Sequence, residues 1–311
     1  MSKAIMYHYV RHSNPDLPFF RYLSVDNFNL QLDWLTDNYH FPSKKDFLAS
    51  LTSGRAWKGI ILTFDDGFSD HYDFVLPALK ERGLWGIFFI STSPYINHRF
   101  LDVHRIHMIL GKLGGICAME LLSSKIDQNL LSHAHVEDFR LRTYRSQDND
   151  HATEEFKRTL NYYISYNYRE KLLGDLIRNA FDMDEPDLSR NFYMTPEQIR
   201  QLDREGMIIG SHGANHLVFS KLSTKQQQFE IDSSLDTLRE ITGKQASLFC
   251  HPYGGFHSFN ETTEQLLAKS DIAASFNVEP RDVNDIDVSI RPHALPRYDC
   301  NLFRYGKASF G

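Results

Sequence analysis

Short apolar runs alternate along this chain with longer segments of helical period. Trp57–Phe64 (WKGIILTF) is an apolar run of strand length, as expected of a strand covered on both faces. Gly86–Ile90 (GIFFI) is a second such run. Lys3–Tyr9, MIIGSH from Met207, Ala246–Cys250 and Ile272–Phe276 read as further strands. Between them, Ser24 stands as an N-cap before a helix in which Phe28, Leu32 and Leu35 share one face. Ser43 opens a second helix, and SDHYDFVLPALKERG is a third, closed by Gly83. TPEQIRQLDREG has a Thr cap, Pro at the first helical position and Gln three residues after the cap. The segment from Ser223 to Gly243 and Asn260–Lys269 complete the set.

Strands that alternate with helices imply parallel βα units. About seven units can be traced, which predicts an α/β fold, a distorted or incomplete (β/α)7 barrel. From about Pro94 to Phe192 the rhythm breaks. That stretch shows helical patterns (HRIHMILGKL, EEFKRTLNYYISY, REKLLGDLIRNAF) and no strand. A structureless loop of that length is improbable in a compact domain. The expected organisation is therefore a barrel formed by 1–93 and 195–311, with 94–194 as a helical insertion that caps it. Such a cap restricts access and favours a small substrate.

Composition changes this picture little. The 311 residues are 41% hydrophobic and 24% charged, ordinary values for a globular protein. The net charge of -6, with no basic block, argues against nucleic acid as a partner. The opening residues lack the apolar core of a signal peptide, and the longest apolar run, around 83–90, is too short to span a bilayer. Three sparse cysteines, Cys117, Cys250 and Cys300, are no disulfide framework. The expectation is a cytoplasmic protein without an integral membrane segment.

In parallel βα folds chemistry gathers at the carboxyl ends of the strands. Three motifs fall there: Asp65-Asp66-Gly67, Ser211-His212-Gly213-Ala214-Asn215-His216, and His251-Pro252-Tyr253-Gly254-Gly255. Of two adjacent carboxylates, one can bind a cation and the other take a proton. Two His at i, i+4 can converge on the same ion. A tight Pro/Gly turn can aim a backbone N–H at a developing oxyanion. Two imidazoles and one carboxylate leave coordination positions open, as catalytic metal sites do. Zinc is expected first, with cobalt, nickel, manganese and iron as alternatives.

Taken together, TFDDG at 63–67, HxxxH at 212–216 and HPYGG at 251–255 resemble the polysaccharide deacetylase (NodB-homology, carbohydrate esterase family four) superfamily. Met6-Tyr7-His8 looks like the first strand of the branch whose chains begin with a Tyr-His pair. The resemblance covers 1–93 and about 195–300. It implies that Asp66, His212 and His216 hold a divalent metal, that Asp65 is the catalytic base, and that the Tyr253 N–H steadies the oxyanion. His8, Tyr253 and His251 are the expected substrate contacts. The chain departs from the family pattern twice. Cys250 stands where an Arg normally steadies the base, and Arg297, in Leu295-Pro296-Arg297, is the candidate replacement. No Leu-x-His supplies the general acid; His293 is nearest by position, with His251 and His71 as alternatives.

The expected activity is hydrolysis of an N-acyl, chiefly N-acetyl, group on an amino sugar, nucleotide- or lipid-linked, in a precursor of a surface polysaccharide. The rivals are a deformylase or small cyclic-amide hydrolase of the same superfamily, and a non-catalytic carbohydrate-binding barrel. The insertion histidines (His98, His104, His107, His133, His135, His151) read as surface, although His104 and His107 with Asp102 have the spacing of a second metal site.

Overall fold

A computed structural model describes residues 1–127, 131, 136–143 and 149–310. The chain divides into two compact units. One comprises Met1–His12, Tyr22–Asn97 and Asn191–Ser309; the other comprises Ser13–Arg21, His98–Arg190 and the last two residues.

The first unit is built on seven parallel strands: β1 (Ser2–Tyr7), β2 (Gly59–Asp65), β3 (Gly86–Ile90), β4 (Ile208–Ser211), β5 (Leu248–Cys250), β6 (Ala274–Phe276) and β7 (Tyr298–Asp299). Their spatial order is β6-β5-β4-β3-β2-β1-β7. The two edges then meet through one segment. Its first part bonds to β6, with Leu295 N–H donating to Ser275 O (2.8 Å) and Asn277 N–H to Leu295 O (2.9 Å). Its second part, Tyr298–Asp299, pairs with β1 at Ile5 and Met6. The sheet is thereby closed into a distorted (β/α)7 barrel, and closure removes the open edges that an unpaired sheet would present.

The two-residue period of each strand sorts side chains between two apolar clusters. Ile5, Tyr7, Ile60, Leu62, Phe64, Phe88 and Ile90 pack outward with the helices at 25–38, 196–204 and 224–242. Ala4, Ile61, Ile87, Phe89, Leu248, Cys250, Ala274, Phe276 and Leu295 form the other cluster, with Phe47 and Trp57. Asp65 follows Ile61 and Thr63 on this second face, and His8 follows Ala4 and Met6. The alternation thus sets both polar residues at the carboxyl end of the enclosed face.

Local chemistry explains most helix ends. The side chains of Ser24, Ser43, Thr195, Ser223 and Asn260 each accept a first-turn N–H, and the last three form full capping boxes. Gly243 closes the helix at 224–242 in the left-handed conformation (φ 72°).

Among its described residues the second unit is helical, with helices at Asp102–Lys125, His151–Arg158 and Tyr166–Ala180. Asp102–Lys125 is long and apolar enough to cross a membrane by length and composition, although it holds no unbroken apolar run of that length. It breaks at Gly114 (φ 71°, ψ 171°) and packs within its unit against the helices at 151–158 and 166–180. Ser13–Arg21 joins this unit through Phe19 N–H to Gly111 O (2.9 Å), a long-range pairing that local periodicity does not carry.

Candidate active site

Three loops at the carboxyl ends of β2, β4 and β5 converge, all within the first unit. Each bends through a conformation that L-residues avoid. Asp66 (φ 78°), His216 (φ 52°) and Tyr253 (φ 64°) are three of six described non-glycine residues with positive φ. Such strain persists where the surroundings impose it, and it marks functional turns. Gly254 (φ 76°) follows Tyr253; a Cβ there would lie 2.2 Å from Val278 Cγ2, so only glycine fits.

The Asp66 carboxylate faces both histidines. Its Oδ1 lies 3.6 Å from His212 Nε2 and 3.4 Å from His216 Nε2. One donor atom from each of the three buried residues falls within 4.8 Å of the others. Ligands about 2.0–2.2 Å from a tetrahedral ion sit about 3.3–3.6 Å from one another, so this set fits a single divalent metal. The ring orientation fits as well. His212 Nδ1–H donates to the Cys250 carbonyl (2.7 Å), which turns the Nε2 lone pair toward Asp66. Burial lowers the His212 pKa against the pull of Asp65 and Asp66, so the imidazole is neutral, as a ligand must be.

The loop between the two histidines is tied down at both ends. Ser91 Oγ–H donates to His212 O (3.1 Å), and Thr92 and Ser93 N–H donate to Gly213 O and Ala214 O. Glu230, buried on the helix at 224–242, accepts from Asn215 N–H (2.7 Å) and Nδ2 (2.6 Å). Burial raises its carboxyl pKa, and the two Asn215 bonds oppose that rise.

Asp65 points elsewhere. Arg297 grips it with both arms, Nη1 to Oδ1 and Nη2 to Oδ2, each 2.8 Å. Arg297 is 1% exposed, and its remaining donors are also placed. Nε donates to Asn277 O (3.0 Å), Nη1 to Thr63 Oγ1 (3.0 Å) and Nη2 to Cys250 Sγ (2.9 Å). Burial pushes the Asp65 pKa up, but Arg297 and then His212 outweigh it, and the carboxyl is held below its ordinary value. Arg297, the candidate for the Arg expected at position 250, thus reaches Asp65 from across the barrel. Cys250 is small enough to leave room for the guanidinium. Burial holds its thiol well above the usual range, against Arg297. Asp65, His212 and Cys250 also offer donor atoms within 4.8 Å of one another. With Arg297 bound to two of the three, that set is a charge-paired cluster and not a ligand set.

The histidine assignments need correction. His251 was expected to touch substrate, but it is 1% exposed. Its ring stacks on Phe259 (3.8 Å, 6°), and its Nε2 bonds His293 O and Ser275 Oγ, both at 2.9 Å. Burial lowers its pKa to about 3. His71 is likewise buried and neutral, its pKa lowered to about 4, with Nε2–H donating to His8 O (2.9 Å). Neither can deliver a proton near neutral pH. His293, expected as the acid, is engaged through its carbonyl with His251, and burial lowers the pKa of its ring. His8 faces Asp65: its Nε2 is 3.9 Å from Asp65 Oδ2, and its side chain is 39% exposed. Tyr253 places its ring 4.8 Å from that of His216.

In the second unit, His104 is wholly buried and not a surface residue. Its ring centroid lies 6.1 Å from that of His107, and the Asp102 carboxylate is bound by Arg105 (3.1 Å) and Arg169 (2.9 Å). These residues build an ion-paired core, which Glu185 extends through two bonds to Arg105. His133 and His135 lie outside the described residues.

These features define a closed parallel βα barrel with a two-histidine, one-carboxylate donor set beside a second, arginine-held carboxylate. The polysaccharide deacetylase family matches residues 173–275, a range that includes His212, His216 and Tyr253. Asp65 and Asp66 lie outside that range, and the fold brings them to it. Among curated proteins, the peptidoglycan-N-acetylmuramic acid deacetylase PdaC of Bacillus subtilis (strain 168) is 31% identical over 90 residues, 29% of this chain and 18% of that one. PdaA of the same organism is 36% identical over 63 residues, 20% and 24% of the two chains. The chain spans less than half the length of these relatives. Among solved structures, the Streptococcus pyogenes deacetylase PplD in complex with acetate superposes with a TM-score of 0.58 at 16% identity, over 96% of this chain and 91% of that one. IcaB from Ammonifex degensii gives 0.54 at 16%, over 95% and 90%. The chain is thus similar to polysaccharide deacetylases in sequence over residues 173–275 and in fold over nearly its whole length.

Proposed function

We propose that this protein is a metal-dependent hydrolase that removes an N-acyl group, acetyl in the first instance, from an amino sugar in a precursor of a surface polysaccharide. One observation carries the reading: a buried carboxylate kept ionised by a buried arginine stands directly beside a neutral two-histidine, one-carboxylate donor set. Asp66, His212 and His216 would hold the ion, zinc first. A divalent ion bound there would polarise the amide carbonyl and acidify water.

The protein's own groups supply the rest. Asp65 takes the proton of the attacking water. Arg297 fixes the direction of its oxygens, and Cys250 and Thr63 fix the guanidinium in turn. The Tyr253 N–H, set by the strained turn at 253–254, is aimed at the oxyanion. Loss of one such donor typically adds about 3–4 kcal/mol to the barrel's barrier for hydrolysis. His8 gives a proton to the departing nitrogen. Among the described histidines it combines access to solvent with a place beside Asp65, whereas His71 and His251 are buried and His293 is half-buried.

The test is release of free acid from N-acetylated and N-formylated amino sugars by metal-loaded protein. Acetate release is expected. Formate release in preference to acetate would shift the acyl group, and release of neither acid from a broad panel would overturn the proposal.

A further inference from the structure

The paired register of β1 and β2 runs as far as Tyr7 opposite Phe64. His8, the proposed proton donor, lies one residue beyond it. Two consecutive residues in the segment after β2, Asp70 and His71, hold the chain at and just past that point. His71 Nε2–H donates to His8 O (2.9 Å). The Asp70 carboxylate accepts the Val10 N–H and, through Oδ2, Arg11 Nε–H (2.7 Å). His71 opens a π-helical turn, His71–Val75. Such turns are rare and are frequent at functional sites.

An imidazole is a poor choice here for packing alone. His71 is wholly buried, and its ring lies 5.7, 5.5 and 5.8 Å from those of Phe64, Phe68 and Phe88. Its Nδ1 has no hydrogen-bond partner among the described residues. A phenyl ring would fill that aromatic cage without leaving a buried nitrogen unsatisfied. What the imidazole adds is the bond to the His8 carbonyl. A carbonyl oxygen only accepts, so the proton of the neutral ring sits on Nε2 and the ring acts as a donor. That bond fixes the main chain from which the His8 ring, 39% exposed, reaches to 3.9 Å from Asp65 Oδ2.

We propose that His71 is a positioning residue: through its bond to the His8 carbonyl it holds the His8 ring where the departing nitrogen is protonated. Asp70, by binding Val10 and Arg11, completes the clamp on this segment. This rests on the amino-sugar hydrolysis and on the role of His8 given above.

The experiment measures kcat and KM for acetate release from an N-acetylated amino sugar by metal-loaded protein. In His71→Phe kcat is expected to fall about 10–100-fold, with KM within about twofold of wild type. His71→Gln, whose amide can donate to the same carbonyl, should restore most of the loss. In a His8→Gln background His71→Phe should cause no further fall, because the residue it positions is already gone. An equal fall in that background, or an unchanged kcat in His71→Phe, overturns the proposal. Where His71→Phe does not fold, His71→Asn, too short to reach the carbonyl, replaces it with the same expectations. A second readout needs no substrate. The chain has two His-Tyr pairs, His8-Tyr9 and His71-Tyr72. Protein isotopically labelled at the His carbonyl carbon and the Tyr nitrogen therefore gives two linked NMR signals, and substitution of His71 leaves that of His8. Loss of the hydrogen bond should move the His8 carbonyl resonance upfield in His71→Phe, and His71→Gln should keep it in place. If wild type releases no acetate, the amino-sugar reading has failed, and this resonance decides the clamp separately: an upfield shift in His71→Phe sustains it, and an unmoved resonance overturns it.

Discussion

Arg297→Met separates the charge pair from the rest of the barrel. The substitution removes a guanidinium that makes two 2.8 Å bonds to Asp65 at a site where both partners are almost fully buried. Breaking one side of a buried pair leaves an uncompensated charge and typically costs about 3–5 kcal/mol, whereas removing both sides is close to neutral. Urea unfolding of Arg297→Met, Asp65→Asn and the double variant should therefore give a coupling energy of about 3 kcal/mol, with the double variant more stable than Arg297→Met alone. The same change has a kinetic signature. With Arg297 gone, burial raises the Asp65 pKa with much less opposition, so the acid limb of the pH profile of kcat/KM should move to higher pH. Arg297→Lys restores the charge without the two-pronged geometry and should recover only part of both effects. Strictly additive stabilities, or an acid limb that stays in place, would show that Asp65 and Arg297 are not coupled.

Other residues give sharper tests of single roles. His8→Gln should lower kcat by about 10²–10⁴-fold while leaving metal content intact, and a smaller loss would return the search to other donors. Glu230→Gln weakens the anchor of the loop between the two ligand histidines and should reduce metal affinity about 10–100-fold in chelator competition; unchanged affinity would make that anchor irrelevant. His251, with its pKa lowered to about 3, and His71, lowered to about 4, are buried neutral. Below about pH 6.5 the unfolded chain binds protons that the folded one does not, so stability falls with pH until the folded values are reached. Between pH 7.5 and 5 each should contribute about 2 kcal/mol of that loss. His71→Phe should remove its share of the pH difference, whatever it does to stability at pH 7.5, and an undiminished difference would contradict the burial argument.

The parts of the fold written in short stretches of sequence were the easiest to read. Ser24, Ser43, Thr195 with Gln198, and Ser223 with Gln226 cap helices using neighbours three residues away, so a short window contains the whole interaction. GIFFI coincides with β3 because a strand buried on both faces must be apolar throughout. The closing segment was not legible, since Leu295 meets β6 and Tyr298 meets β1 only through the tertiary fold. The same reason explains His8. Proximity in sequence favoured His293, but the two-residue alternation of β1, known only once its register is known, aims His8 toward Asp65. Nor could local pattern show the π-helical turn at His71–Val75, or that Ser13–Arg21 belongs with the insertion helices. Arg297 could be singled out in the sequence because the family pattern has an Arg where position 250 holds Cys, and the structure places it on Asp65.

Amide hydrolysis is proposed to depend on a metal held by the Asp66, His212, His216 set. Metal content and free acetate would be measured on one preparation each of wild type and His212→Ala, incubated with N-acetylated amino sugars. A single divalent ion per chain and acetate release are expected for wild type, and loss of both in the variant. Acetate release that survives in His212→Ala, or in wild type stripped of metal, would contradict it.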